Sequence, residues 1–336
     1  MAISKQDGKR PVRVATLLPS ATEILWVVAG DYPDKCQLVG RSHECDWPEL
    51  VKSLPVLTGA KNAFESSKQM DEAVRSTLAS GESLYTLDIT TLQELRPDVV
   101  ITQSLCHVCS VNYCLVERLT AQMDPQPQLV DLNPQNLDDV LQDMQKVGDA
   151  VGLSREAAGK VQHLQDRIAA AVSTAGAAAA QRQAKGLPPP RVGFLEWTDP
   201  LFIGGHWTPQ LIHMAGGEHP LNPPKDGGGA GKSFTVEPEQ LLASDPDWLI
   251  ICPCGFEIPQ ALREMRIMVE APWWNQLRAV REGRVVIVDG DHMFNRPGPR
   301  LVEALEFLVG LLHDKGDVIP HDFPYEMWQQ HPGEQL

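Results

Sequence analysis

The chain lacks any apolar run near the roughly 20 residues that a membrane helix needs, so it is not expected to span a bilayer. Its first twenty residues, MAISKQDGKRPVRVATLLPS, lack the apolar core and small-residue cleavage site of a secretory signal. As it stands, the sequence is expected to be cytoplasmic; removal of a signal would make it periplasmic or extracellular. Basic residues are in short supply, with 29 Lys and Arg against 44 Asp and Glu and a formal net charge of -15. Phosphate binding needs a cationic surplus, so no nucleic-acid partner is expected. Cysteine is too sparse for a disulfide scaffold. Seven in 336 residues, an odd number, point to reduced thiols. GGGAGKS at 227–233 ends like a phosphate-binding loop, yet Asp226 stands where the first glycine belongs and no strand precedes it. No glycine-flanked serine elbow is present either.

What is present has the composition of a folded globular protein, with 43% hydrophobic and 22% charged residues, and the length suits two lobes. Short apolar runs alternate with segments of helical period, the pattern of α/β units with parallel strands. RVATLL at 13–18, QLVG at 37–40 and QLVDL at 128–132 read as strands of a first lobe over 12–135, and LRPDVVITQ at 95–103 as a short helix end, a turn and a buried strand of the same lobe. Ser20 and Glu23 have the spacing of a capping box at a helix start, and Gly30 suits its stop. Residues 136–186 carry no strand signal and read as one or two helices, the second starting at Ser154. GLPPP at 186–190 then ends the helix, because three prolines cannot continue it. In a second lobe over 190–330, RVGFLEW, WLIIC and RVVIV are strands, TPQLIHMAGG and VEPEQLLAS are helices, and LVEALEFLVGLLHD is an amphipathic helix.

Each strand runs into an unusual polar loop, and the carboxyl edge of an open α/β sheet is where ligands bind. PSATE brings Ser20 and Thr22. SHECDWPE brings His43, Glu44, Cys45 and Trp47, with Asp46 expected to cap the following turn. SLCHVCSVNYC brings Cys106 and Cys109, whose spacing suits half a zinc knuckle or a redox pair. In the second half, EWTDPLFIGGHW supplies Trp197, His206 and Trp207, CPCGFE supplies Cys254 and Phe256, and DHMFNRPGPR supplies His292, Phe294 and Arg296. The flat apolar side chains suit a planar ligand, and the imidazoles suit a metal.

ATLLPSATEIL, LVGRSHECDWPE, LRPDVVITQSLCHVCSV, GGHWTPQLIHMAGG and PDWLIICPCGF together resemble the vitamin B12-binding, periplasmic substrate-binding protein family, over about 12–315. The resemblance implies two Rossmann-like α/β lobes joined by a long backbone helix, with the ligand in the cleft between them. It implies cobalamin, a related corrinoid or tetrapyrrole, or a metal chelate as ligand, bound by the loop residues above. An ABC permease would be the partner of an exported form. The alternative expectation is an intracellular metal-thiolate protein on the same scaffold, with Cys45, Cys106, Cys109 and Cys254 around zinc or another soft metal; an open position there would permit a metal-dependent enzyme.

Overall fold

The computed structural model describes residues 10–61, 66–80, 84–105, 111–225 and 231–329. The chain divides into two compact units. One comprises Met1–Ala63, Ser80–Asn133 and Leu141–Val161, and the other Phe64–Ala79, Pro134–Val140 and Gln162–Leu336.

The first unit holds β1 (Val12–Thr16), β2 (Cys36–Gly40), β3 (Thr58–Ala60), β4 (Tyr85–Leu87), β5 (Val99–Gln103) and β6 (Gln128–Leu132). Its main sheet is parallel throughout in the order β2-β1-β5-β6. β3 and β4 form a separate antiparallel pair. All five residues of β5 are buried, which is why this stretch reads as an unbroken apolar run rather than an alternating one. The order reverses between β1 and β5, so the loops after these two strands open at a topological switch point.

The second unit holds β7 (Val192–Thr198), β8 (Leu201–Ile203), β9 (Phe234–Thr235), β10 (Trp248–Ile251), β11 (Val285–Val288) and β12 (Tyr325–Met327). They form one sheet in the order β12-β11-β10-β7-β8-β9. β7, β10 and β11 are parallel, and the short flanking strands are antiparallel. Leu249, Ile251, Val285 and Ile287 pack with Met265 and Trp274 into a continuous core.

One local device starts a central strand in both units. In Arg96-Pro97-Asp98 and in Asp245-Pro246-Asp247, a left-handed residue (φ 45° and 41°) ends a helix and proline blocks its continuation. The aspartate then grips the neighbouring strand. Asp98 Oδ2 accepts from the Arg13 N–H at 2.8 Å, while the Asp98 N–H donates to the Arg13 carbonyl at 2.7 Å. Asp247 repeats this with Arg191 at 2.7 and 2.8 Å.

The segment 136–186 forms two helices, Leu137–Ala150 and Ser154–Ala184, the second 31 residues long. Buried Ala157, Leu164, Ala171 and Ala178 recur every seven residues along the long helix, and small side chains on that stripe permit close packing. Its first turns belong to the first unit, where Glu156 pairs with Lys35 and Lys160 with Asp31. The remainder belongs to the second, where Arg167 grips both Glu306 carboxylate oxygens at 2.9 and 2.6 Å. The division between units thus falls inside this helix, between Val161 and Gln162.

Two capping expectations change. The first helix spans Pro19–Ala29 with Leu18 at its N-cap, so Ser20 and Glu23 lie inside it. Proline is pre-organised for the first helical turn and needs no N–H there, so it starts the helix one residue earlier. The turn Glu49–Ser53 has Pro48 as its N-cap and no side-chain cap, so Asp46 does not serve that role.

Candidate functional site

In the first unit, Thr22, in the first turn of the helix that follows β1, belongs to a buried hydroxyl relay. Its Oγ1 donates to Cys45 Sγ at 3.0 Å and lies 2.6 Å from Thr16 Oγ1. A hydroxyl has one hydrogen, so Thr16 supplies the hydrogen of the shorter contact. Ser20 is buried as well, and its hydroxyl oxygen has no hydrogen-bond partner. Cys45, at 1% exposure, is therefore a packed and hydrogen-bonded thiol.

The loop after β2 is built around Arg41, which is buried and donates to the carbonyls of Ser42 and Lys52, both at 2.9 Å. This fixes His43, whose N–H donates to Thr58 Oγ1 at 3.1 Å and whose Nδ1 lies 2.7 Å from the same oxygen. Tyr85 donates its hydroxyl to Glu44 Oε1 at 3.1 Å, and its ring lies 5.7 Å from the imidazole. Burial, and then the charge of Arg41, lowers the His43 pKa, which favours a neutral ring. Trp47, further along the same loop, stays partly exposed.

In the second unit, Trp197 meets Phe256 edge-on at 5.7 Å. Neighbouring Glu196 accepts from the Gly205 N–H at 3.2 Å; burial raises its carboxyl pKa, opposed by hydrogen bonds from Ser233 and Gly205. His206 has a left-handed backbone (φ 52°), is tied by its N–H to the Gly231 carbonyl at 3.0 Å, and has a pKa lowered by burial and then by Lys232. Trp207 and Phe294, expected as walls for a ligand, are instead interior side chains at 6% and 2% exposure. Phe294 packs on Phe194 at 4.9 Å, and Trp207 Nε1 donates to the Phe294 carbonyl at 2.6 Å. Both complete the unit's own core.

The loop after β11 is the most tightly built. Asp289 Oδ1 receives the N–H groups of Asp291 (3.0 Å) and His292 (2.9 Å), and lies 3.1 Å from His292 Nδ1. Burial alone would raise the Asp289 carboxyl, but the hydrogen bonds and charge of His292, with the Asp291 N–H, hold it below the usual 3.8. Arg296, itself buried, donates to Asp291 Oδ2 at 3.0 Å. Asn295 ties the loop by donating to the Gly290 carbonyl at 2.7 Å. Gly290 is required there, because a Cβ would stand 2.0 Å from the Pro253 carbonyl oxygen.

Of the four cysteines expected to ligate a metal, Cys45 and Cys254 fall in different units, and Cys106 and Cys109 lie outside the described residues. Cys252 and Cys36 are buried thiols; desolvation pushes Cys252 well above the usual 9.0 and Cys36 up to about 11. Neither is poised to become a thiolate. Spacing alone had not distinguished Asp289, Thr58, Tyr85 or Asn295, although D-x-x-H at 289–292 is a short-range signal for the first.

A metal-bearing ligand asks for neutral nitrogen donors and flat apolar walls. In the first unit burial biases His43 toward the neutral form; in the second it does the same for His206, a carboxylate lies beside His292, and Trp197 meets Phe256 edge-on. Parallel sheets with polar strand-end loops in two units define a ligand-binding protein of the α/β class. The model of the periplasmic binding protein family matches residues 14–292, and the chain belongs to that family. No curated protein matches it. Among solved structures, a periplasmic heme-binding protein of Pseudomonas aeruginosa is similar at TM-score 0.65 and 19% identity, over 90% of this chain and 93% of that one. The heme-binding protein RhuT of Roseiflexus sp. RS-1, in its apo form, is similar at TM-score 0.63 and 21% identity, over 91% and 99%. The vitamin B12-binding protein BtuF of Vibrio cholerae is similar at TM-score 0.62 and 18% identity, over 90% and 97%.

Proposed function

We propose that this chain captures a corrinoid, a related tetrapyrrole or another planar metal chelate on its strand-end loops, the edge at which open α/β sheets bind ligands. The ligand is held and released unchanged, and an ABC permease receives it from an exported form of the protein. The observation that carries the reading is the placement of His43, His206 and His292 at strand ends, each ring held by a polar contact or biased by burial toward neutrality. Trp47 and Trp197 supply apolar surface on the same loops, with the interior ring of Phe256, 4% exposed, packed behind Trp197, and Ser20, Thr22, Glu44 and Arg296 lie on or under these loops. The heme- and B12-binding proteins of similar fold support the ligand class.

Titration of the purified protein with hemin and with hydroxocobalamin, followed by visible absorbance and calorimetry, tests it. Saturable binding with a band shift is the expected result. No heat and no spectral change at tens of micromolar for either ligand would remove the tetrapyrrole reading.

A further inference from the structure

The first helix, Pro19–Ala29, opens at the carboxyl end of β1, beside the switch point between β1 and β5. The N–H groups of a helix's first turn have no acceptor within the helix. Proline has none to offer at residue 19, and Leu18 at the N-cap gives no side-chain acceptor. The Thr22 N–H reaches the Leu18 carbonyl at 3.4 Å. Those of Ser20 and Ala21 are left facing out of the helix start.

A second feature lies in the same place. Ser20 is 2% exposed, and its hydroxyl oxygen has no hydrogen-bond partner among the described residues. Bonds from Cα to Cβ lean toward the N-terminus of a helix, so this hydroxyl stands over the first turn with the two N–H groups. Buried polar groups in folded proteins are nearly always matched, and an unmatched one marks the place of a missing partner. The turn itself is fixed. Thr22 ties it to Thr16 and Cys45 at 2.6 and 3.0 Å, and the Leu17 N–H donates to the Ile101 carbonyl at 3.0 Å. Pro19, partly exposed, gives the side from which a ligand group enters.

Helix starts attract anions, yet burying a carboxylate requires a counter-charge. This helix carries no Lys or Arg, and its one charged side chain, Glu23, is acidic and 1% exposed. Residues three apart share a helix face, so Glu23 lies on the side of Ser20. Neutral donors beside an acidic group suit a neutral acceptor that can also donate. A carboxamide is such a group: its oxygen accepts from the N–H groups, and its own N–H returns a bond to the serine oxygen.

We propose that the start of the first helix takes a carboxamide from the ligand's rim, and that the chain thereby favours a corrinoid, whose side chains end in carboxamides, over a porphyrin, whose polar side chains are carboxylates. This rests on the ligand class proposed above.

Titrations of the full chain with dicyanocobinamide and with dicyanocobyrinic acid, by calorimetry and absorbance, test the inference. The two share ring, metal and axial ligands and differ in a rim of carboxamides or carboxylates. At pH 7.5 the wild type is expected to bind the cobinamide at least about tenfold more tightly. Ser20→Ala is expected to weaken cobinamide binding about fivefold. The thermal midpoint of the ligand-free variant should not fall, because the hydroxyl has no partner in the fold to lose. Equal binding of the two corrins, unaltered cobinamide affinity in Ser20→Ala, or a lower midpoint in that variant would each overturn the inference and leave tetrapyrrole binding standing. Binding of hemin alone overturns the carboxamide assignment and keeps the wider reading. Binding of none of the three overturns both.

Discussion

Trp207 Nε1 donates to the carbonyl oxygen of Phe294 at 2.6 Å, joining residues 87 positions apart in sequence. The bond links the loop after β8 to the loop after β11 inside the second unit. Both partners are buried, so Trp207→Phe should leave a carbonyl without its donor and cost about 1–3 kcal/mol. Urea unfolding followed by circular dichroism measures this. Because Phe294 follows His292 by two residues, hemin affinity should fall with it.

Gly290→Ala should do greater damage. A Cβ at that position meets backbone rather than a flexible side-chain tip, so the loop carrying Asp289 and His292 must shift. The expected outcome is a lower thermal midpoint together with a shifted His292 ring signal by NMR. An unchanged His292 spectrum would contradict the clamped-loop account.

Stability should fall as pH drops from 6.5 toward 4. His219 is buried, and burial lowers its pKa from 6.5 to about 4 in the folded chain, opposed only by the Gly204 backbone. Between these values the unfolded chain takes up a proton that the folded one refuses, so acidification favours unfolding. The contribution reaches about 3 kcal/mol at the acid end of the window. Burial also lowers the pKa of His43, His206 and His313, and these add in the same direction. His219→Leu should flatten the denaturation-midpoint profile over this range.

Below that window a second loss should follow. The Arg10 hydrogen bond, with the Arg13 N–H, holds the Asp98 carboxyl below its usual 3.8 against a smaller opposing effect of burial. A depressed carboxylate pKa stabilises the fold above the unfolded value, and this is lost as pH falls through the folded one. Arg10 is largely exposed, so solvent screening keeps its share small. Asp98→Asn should reduce stability at pH 7 and lessen the further loss below about pH 4, measured by urea midpoints.

Thiol accessibility should separate the cysteines. Cys114 is exposed and Cys254 partly so, whereas Cys36, Cys45 and Cys252 are buried. Brief iodoacetamide treatment at pH 7.5 and peptide mass mapping should label Cys114 first among these five described cysteines. The three buried thiols should react only after unfolding in urea.

The strands β1, β5, β7, β10 and β11 were legible because a strand covered on both faces must be an apolar run; the edge strands β2 and β6, where Gln37 and Gln128 are exposed, showed only a short apolar centre. The long helix and its start at Ser154 were legible from composition and capping chemistry. The strands β8, β9 and β12 were not, since two or three residues cannot display a period. Proline at 19 overrode the local capping signal at Ser20. For the site, strand-end position marked His43, His206 and His292 correctly as loop residues, but could not rank them.

The sequence by itself determined the α/β class, the two-part layout, the long helix and which polar loops follow the strands, because these follow from periodicity and turn residues acting over a few positions. Tertiary structure alone decided that Trp207 and Phe294 fill the interior, that Cys45 is held by Thr22, and that Thr58 stands behind His43. It also decided how the loop around Asp289 and His292 is locked. Burial and hydrogen-bond partnership depend on which distant segments fold against a residue, and no local pattern encodes that.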